Sequence, residues 1–281
     1  MTSSSDFEAF KRSKAWNSKI GSTVITNPAD LDIAIIGGRV RSTLVDAANN
    51  ISLVAPSGGG LWNFNATDGS SFNPLDDFGA FMIVTYMTQN PNNAQNILVA
   101  TGDELHGING NGIFTSIDGG VTFTQMTSTK PSTNPDFEQI RYVKFSPHTA
   151  NTIYMVAKRK VFISTDSGAT WIEVFDASND NIHAIDFLAN AGIIISVDDQ
   201  GLYSSSTGNS GTFSILTSTV PNDQAGSGGT IDGVTVAAHA ANRNIAYALF
   251  TSTAANDMYK TTNGGTSWTK LTAPTYSIGQ T

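Results

Sequence analysis

Apolar residues in this chain come in short β-branched runs, each bracketed by residues that turn the backbone. Residues 51–55, 97–100, 153–157 and 245–249 are such runs, and the turn-rich segments 46–50, 90–93, 146–149 and 239–244 precede them. Runs of this length bounded by Asn, Pro, Gly and Ser read as strands. One stretch carries the pattern in full: residues 140–145, 152–157, 161–164 and 170–175 give four short strands with turn residues between them. A helix is predicted once, where Ser5, Asp6, Phe7 and Glu8 read as a capping box opening a short helix to about Trp16, with Phe7 and Phe10 on one face. The longest apolar runs, 33–36 and 193–197, fall far short of the roughly 18 residues a membrane helix needs. The sequence predicts no membrane insertion.

Between the strand-like runs an eight-residue motif recurs. It reads Ser116-Ile117-Asp118-Gly119-Gly120-Val121-Thr122-Phe123, then Ser164-Thr165-Asp166-Ser167-Gly168-Ala169-Thr170-Trp171, then Thr261-Thr262-Asn263-Gly264-Gly265-Thr266-Ser267-Trp268. Two eroded copies fill the gaps: Asp68-Gly69-Ser70-Ser71-Phe72, one residue short, and a copy starting at Ser204 and Gly208 with an insertion before Thr212-Phe213. The closing aromatics at 72, 123, 171, 213 and 268 are spaced by 51, 48, 42 and 55 residues. Four strands per unit of about 45 residues is the pattern of a β-propeller blade. The expected fold is therefore all-β, a propeller of four-stranded antiparallel blades at about 34–78, 79–130, 137–178, 181–220 and 229–275. A separate N-terminal segment, 1–30, would hold the helix and a closing or linking strand.

Physically the motif is a hairpin lock. The Asp or Asn at its third position folds back onto main-chain N–H groups, Gly at the fifth accepts positive φ, the flanking hydroxyls tie the strand ends, and the aromatic packs between sheets. Phe72, Phe123, Trp171, Phe213 and Trp268 are expected at equivalent buried positions. A turn that repeats in every blade solves a folding problem, so these acids are read as structural rather than catalytic or calcium-binding.

With these residues the chain resembles the Asp-box, or bacterial neuraminidase repeat, propellers, a family that includes sialidases, xyloglucanases and the sortilin ectodomain. The resemblance covers roughly residues 34–275. It implies that the box joins the third and fourth strands at the rim, away from the face that binds ligands. Gly37-Gly38-Arg39-Val40, the segment from Ala55 through Ser57 and Gly58 to Trp62, and Ala100-Thr101-Gly102-Asp103 are most similar to propeller modules of large secreted bacterial surface proteins. Trp16-Asn17-Ser18-Lys19-Ile20 is similar to the strand after a box, and residues 276–280 resemble the first strand of a further blade. The expectation is five visible blades of an incomplete set.

Candidate chemistry is sparse. Zero Cys excludes thiolate zinc sites and cysteine nucleophiles. A net charge of −8, with only 15 Lys and Arg, argues against nucleic acid. A sialidase-like site would need an arginine triad, a tyrosine–carboxylate pair and an acidic donor; of the arginines at 12, 39, 41, 141, 159 and 243, Arg39, Arg141 and Arg243 fall on or near first strands, and the Phe-Arg-Ile-Pro segment is absent. A xyloglucanase-like site would place two aspartates across a cleft between two propellers, for which the chain is too short. Candidate binding residues are Arg39, Arg41 and Arg141, with Asp103, Glu104 and His106 of the Gly-rich loop 102–112, which by default reads as solvated. Asp198-Asp199-Gln200-Gly201 and Lys158-Arg159-Lys160 read as hairpin turns, and His148, His183 and His239 are scattered. No metal and no cofactor are expected. The resulting expectation is a non-catalytic structural or recognition module of an extracellular or cell-surface assembly, an adhesion-type role, whose partners are a protein, a glycan or other subunits. The alternative is a glycoside hydrolase using the 102–112 loop.

Overall fold

Among the described residues twenty strands fold into five sheets of four, each sheet a meander in which strands pair with their neighbours in sequence. The computed structural model describes residues 40–56, 59–65, 72–76, 83–104, 107–189, 192–216, 220, 231–252 and 256–272. The expected N-terminal helix with Phe7 and Phe10, the strand-like Trp16 segment, Gly37 to Arg39, Ser57, Gly58, Asp68, His106 and residues 276–280 lie outside the described residues.

The chain divides into two compact units, residues 1–84 and 85–281. The first holds one sheet: β1 (Val40–Asp46), β2 (Ile51–Pro56), β3 (Leu61–Asn63) and β4 (Asn73–Asp76). The second holds four. They are β5 (Val84–Asn90), β6 (Asn93–Thr101), β7 (Ile113–Ser116) and β8 (Thr124–Gln125); β9 (Ile140–Phe145), β10 (Ile153–Ala157), β11 (Lys160–Ser164) and β12 (Ile172–Asp176); β13 (Ile182–Leu188), β14 (Gly192–Val197), β15 (Gly201–Ser205) and β16 (Ser214–Ile215); β17 (Ile231–Ala238), β18 (Ala246–Ser252), β19 (Asn256–Thr261) and β20 (Thr269–Lys270).

Within the second unit, consecutive sheets pack face to face, β6 on β9, β9 on β13, and β13 and β14 on β17. A strand's period of two sends alternate side chains to opposite faces, and along β10 and β14 both faces are buried. On β10, Ile153, Met155 and Ala157 join the core shared with the preceding sheet, while Tyr154 and Val156 join the core shared with the following one. On β14, Ile193, Ile195 and Val197 face back and Ile194 faces forward. A strand buried on both faces has no polar side to display.

The motif aromatics are not uniformly buried. Trp268 is enclosed, Phe123, Trp171 and Phe213 are half-buried, and Phe72 is 52% exposed, stacked on Phe64 at 5.7 Å. Trp171, Phe213 and Trp268 pack onto the cores shared by sheets two and three, three and four, and four and five respectively. At these seams Trp268 is closed in, while Trp171 and Phe213 stay partly open to solvent.

Candidate functional site

The meander puts two kinds of connection at opposite ends of every sheet. One end carries the turns between third and fourth strands, where the repeated motif lies; the other carries the hairpins between second and third strands and the crossings from sheet to sheet.

At the motif end the buried contact belongs to the first-position hydroxyl. Ser116, Ser164 and Thr261 are each 1% exposed, and their oxygens accept from the N–H groups of Gly120, Gly168 and Gly265 at 2.8, 2.8 and 3.1 Å while donating to Asp118, Asp166 and Asn263. The acid works outside this contact, in solvent. Asp118 accepts from the Thr122 hydroxyl at 2.5 Å and main-chain N–H at 2.9 Å, and Asp166 does the same with Thr170 at 2.6 and 2.9 Å. These bonds, the threonine hydroxyl first, favour the charged form and bring both carboxyls down to about 2. Asn263 mimics the pattern, its amide donating to Ser267 and its oxygen accepting the Ser267 N–H. In the fourth sheet the lock sits one residue later than the sequence suggests: Ser205, not Ser204, accepts from Gly208 N–H and contacts Thr212, with no acid present.

At the other end, the first strand of four sheets carries a bulge at its second residue. Pairing skips Arg41 between Val40 and Ser42, Arg141 between Ile140 and Tyr142, His183 between Ile182 and Ala184, and Asp232 between Ile231 and Gly233. A bulge re-aims one side chain and often adjoins functional sites. Arg141 donates through Nη1 to the Ile182 carbonyl at 3.2 Å, and the Tyr142 hydroxyl donates to the His183 carbonyl at 2.6 Å. His183 Nε2 meets Asp198 Oδ2 at 2.5 Å, fixing the ring against the β14–β15 hairpin. Sequence reasoning passed over His183 and Asp198 as scattered or turn-forming. The available signal was an apolar residue followed by an ionisable one at the head of four of the five first strands: Val40-Arg41, Ile140-Arg141, Ile182-His183 and Ile231-Asp232.

The 102–112 loop is buried at its ends, at Gly102, Asp103 and Gly112, while Gly107, Ile108, Asn109 and Asn111 are exposed. Asp103 is 4% exposed, its backbone bridged to Ile108, and Gly110 N–H donates to the Glu138 carbonyl at 2.6 Å. Gly102, at φ +101°, lies so close to the Glu138 carbonyl that a Cβ would collide with it, and Gly112, at φ +80°, abuts Thr129 in the same way. Among the candidate loop residues, Glu104 is half-buried. Lys158 pairs with Glu138 at 3.7 Å, and Lys160 pairs with Asp136 and Glu173 at 3.2 and 3.0 Å. Arg243 is drawn away from Arg141, donating to the Phe187 carbonyl. Among the described residues no group of three or more His, Cys, Asp or Glu could hold a metal ion.

No protein-family profile matches the sequence, and no curated protein does. Solved structures do. A GH74 xyloglucanase from Xanthomonas campestris aligns over 84% of this chain and 46% of its own, at 16% identity and a TM-score of 0.52. The extracellular domain of a Bacteroides thetaiotaomicron protein described as a one-component system aligns over 81% and 27%, at 13% identity and a TM-score of 0.54. An auxiliary nutrient binding protein from the same organism aligns over 84% and 57%, at 13% identity and a TM-score of 0.49. The chain has the β-propeller fold. Each four-stranded sheet is a blade, and the chain spans about half the length of the xyloglucanase it matches. No helix among the described residues is long and apolar enough to cross a membrane.

Proposed function

We propose that this chain is a non-catalytic propeller of the Asp-box type that recognises a protein or glycan within an extracellular or cell-surface assembly. The observation that carries the reading is what its acidic groups are doing. Hydrolysis of a glycoside needs two carboxyls flanking the bond, one free to give a proton and one to stabilise or attack the sugar. Here Asp118 and Asp166 are held by threonines at the motif end, Asp103 is enclosed in its loop, and Asp198 is engaged by His183. What the crossing end presents instead is fold-oriented donors on bulges, Arg141 and His183. Binding chemistry fits those groups better than proton transfer between a carboxyl pair.

Screening the chain on glycan and peptide arrays, alongside turnover assays with xyloglucan, β-glucans and sialosides, tests the reading. Retention of a ligand class with no turnover is the expected result. Turnover that disappears in Glu104→Gln would replace it with the glycoside hydrolase alternative.

A further inference from the structure

We propose that Asn111 is a self-modification site, whose side-chain amide is lost to attack by the main-chain nitrogen of Gly112, leaving an acidic and partly β-linked residue in the loop of the second blade. The recognition reading above plays no part in this inference.

The sequence holds three Asn-Gly pairs, at 109–110, 111–112 and 263–264. A glycine after asparagine has no Cβ to crowd the approach to the side-chain carbonyl, so local sequence treats the three alike. The fold does not. At the first pair, Gly110 N–H donates to the Glu138 carbonyl at 2.6 Å, and Asn109 Oδ1 accepts from Gln139 Nε2 at 3.1 Å. At the third, Gly264 N–H donates to the Asn244 carbonyl at 2.9 Å. Asn263 Oδ1 there accepts from the Thr261 hydroxyl and the Ser267 N–H, while its amide donates to the Ser267 hydroxyl. In both pairs the attacking nitrogen and the side chain it would attack are held by other groups.

At 111–112 the surrounding main chain is fixed and the reacting groups are not. Asn111 N–H donates to the Thr101 hydroxyl at 2.8 Å, and the Asn111 carbonyl accepts from Gln125 Nε2 at 2.8 Å. The Gly112 carbonyl accepts from the Thr101 hydroxyl at 2.7 Å and from its N–H at 3.2 Å. Among the described residues, however, Gly112 N–H has no acceptor and the side chain of exposed Asn111 has no partner. Gly112 is buried, and an unpaired N–H is rare in a buried residue.

The chemistry needs only water and hydroxide. The Gly112 nitrogen gives its proton to hydroxide and bonds to Asn111 Cγ; the Cγ–Nδ2 bond breaks and Nδ2 leaves as ammonia. Water then opens the cyclic imide at either carbonyl, restoring the Gly112 N–H and leaving aspartate or isoaspartate. In sum, one amide and one water become one carboxylate and one ammonium ion. Isoaspartate adds a methylene to the main chain between the two points tied to Thr101, the Asn111 N–H and the Gly112 carbonyl. The spacing that lets both ties form is lost, and the loop loosens.

The test is incubation of the folded 281-residue chain at mildly alkaline pH. Peptide mapping by mass spectrometry reads conversion at each pair, and a protein isoaspartate methyltransferase reads the β-linked product. Asn111 should convert about tenfold or more faster than Asn109 and Asn263, where attack must first break the hydrogen bond of the glycine N–H. In urea those bonds are gone, and the three pairs should convert at comparable rates. The aged chain should melt below the fresh one, while Asn111→Gln should keep its midpoint through the same incubation. Equal rates at the three pairs of the folded chain, faster conversion at Asn109 or Asn263, or no conversion at Asn111 overturns the proposal. An equal fall in the midpoint of aged Asn111→Gln overturns the loosening of the loop.

Discussion

In the repeated turn, a buried serine or threonine oxygen closes the hairpin from inside and an exposed acid braces it from outside. The two should respond differently to mutation. Ser164→Ala leaves the buried Gly168 N–H without an acceptor and should cost about 1–3 kcal/mol in urea unfolding. Asp166 matters through charge. Its folded pKa, about 2, lies below its ordinary value, so the stability it contributes is fully present above about pH 4 and is lost as the pH falls towards 2; Asp118 behaves alike. Asn263 does the same job without titrating. The Asp118→Asn, Asp166→Asn double variant should therefore lose less of its melting temperature between pH 5 and pH 2 than the wild-type chain, and equal losses would remove the acids from the lock.

For single elements, glycines fix the one long hairpin loop of the second blade. Gly112→Ala asks a Cβ to occupy the space of the Thr129 carbonyl at a positive φ, and Gly107→Ala, also at positive φ, meets nothing. Thermal melts should place Gly112→Ala several degrees below Gly107→Ala, which bears the backbone strain alone. This loop also marks the edge of what sequence could reveal. Strands β9 to β12 were legible because β-branched runs and turn residues alternate at short range, and the motif turns because their residue types are dictated locally. The seating of Gly102 and Gly112 depends on Glu138 and Thr129, which come from the next crossing, and the His183–Asp198 contact joins a bulge to a hairpin fifteen positions away. Neither leaves a local signature. The shift of the fourth lock to Ser205 was hidden for the opposite reason: Ser204, Ser205 and Ser206 offer three equal hydroxyls, and only strand register chooses among them.

Across the second unit, the blades are stitched along their first strands by side chains that cross each seam. Thr85 donates to the Ile140 carbonyl, Arg141 to that of Ile182, and Arg243 to that of Phe187. Asp186 is the densest of these stitches. Its carboxylate accepts the N–H of Phe187 on its own strand and of Ala238 on β17, at 2.9 and 2.8 Å, and pairs with Lys144 from β9 at 3.3 Å and Arg243 at 3.8 Å. The same charge and burial push the Tyr86 hydroxyl up to about 12, burial being the larger cause, so that ring stays neutral at any physiological pH. One side chain thus ties three blades. Removing it takes a partner from two partly buried cations and from two main-chain donors, and breaking such a group by deleting one partner costs about 3–5 kcal/mol. Asp186→Asn keeps an acceptor for Ala238 while losing the charge, so it should fall between the wild type and Asp186→Ala. The cost should also be local in a specific way. The seam between the fourth and fifth blades would lose two polar ties, to the Ala238 N–H and to Arg243, while the seam between the third and fourth loses one, to Lys144, and keeps Arg141 and Tyr142. Hydrogen exchange on Asp186→Ala should therefore show β17 and β18 losing more protection than β10 and β11, whereas an even loss across all four strands would mean the seams are not independently closed.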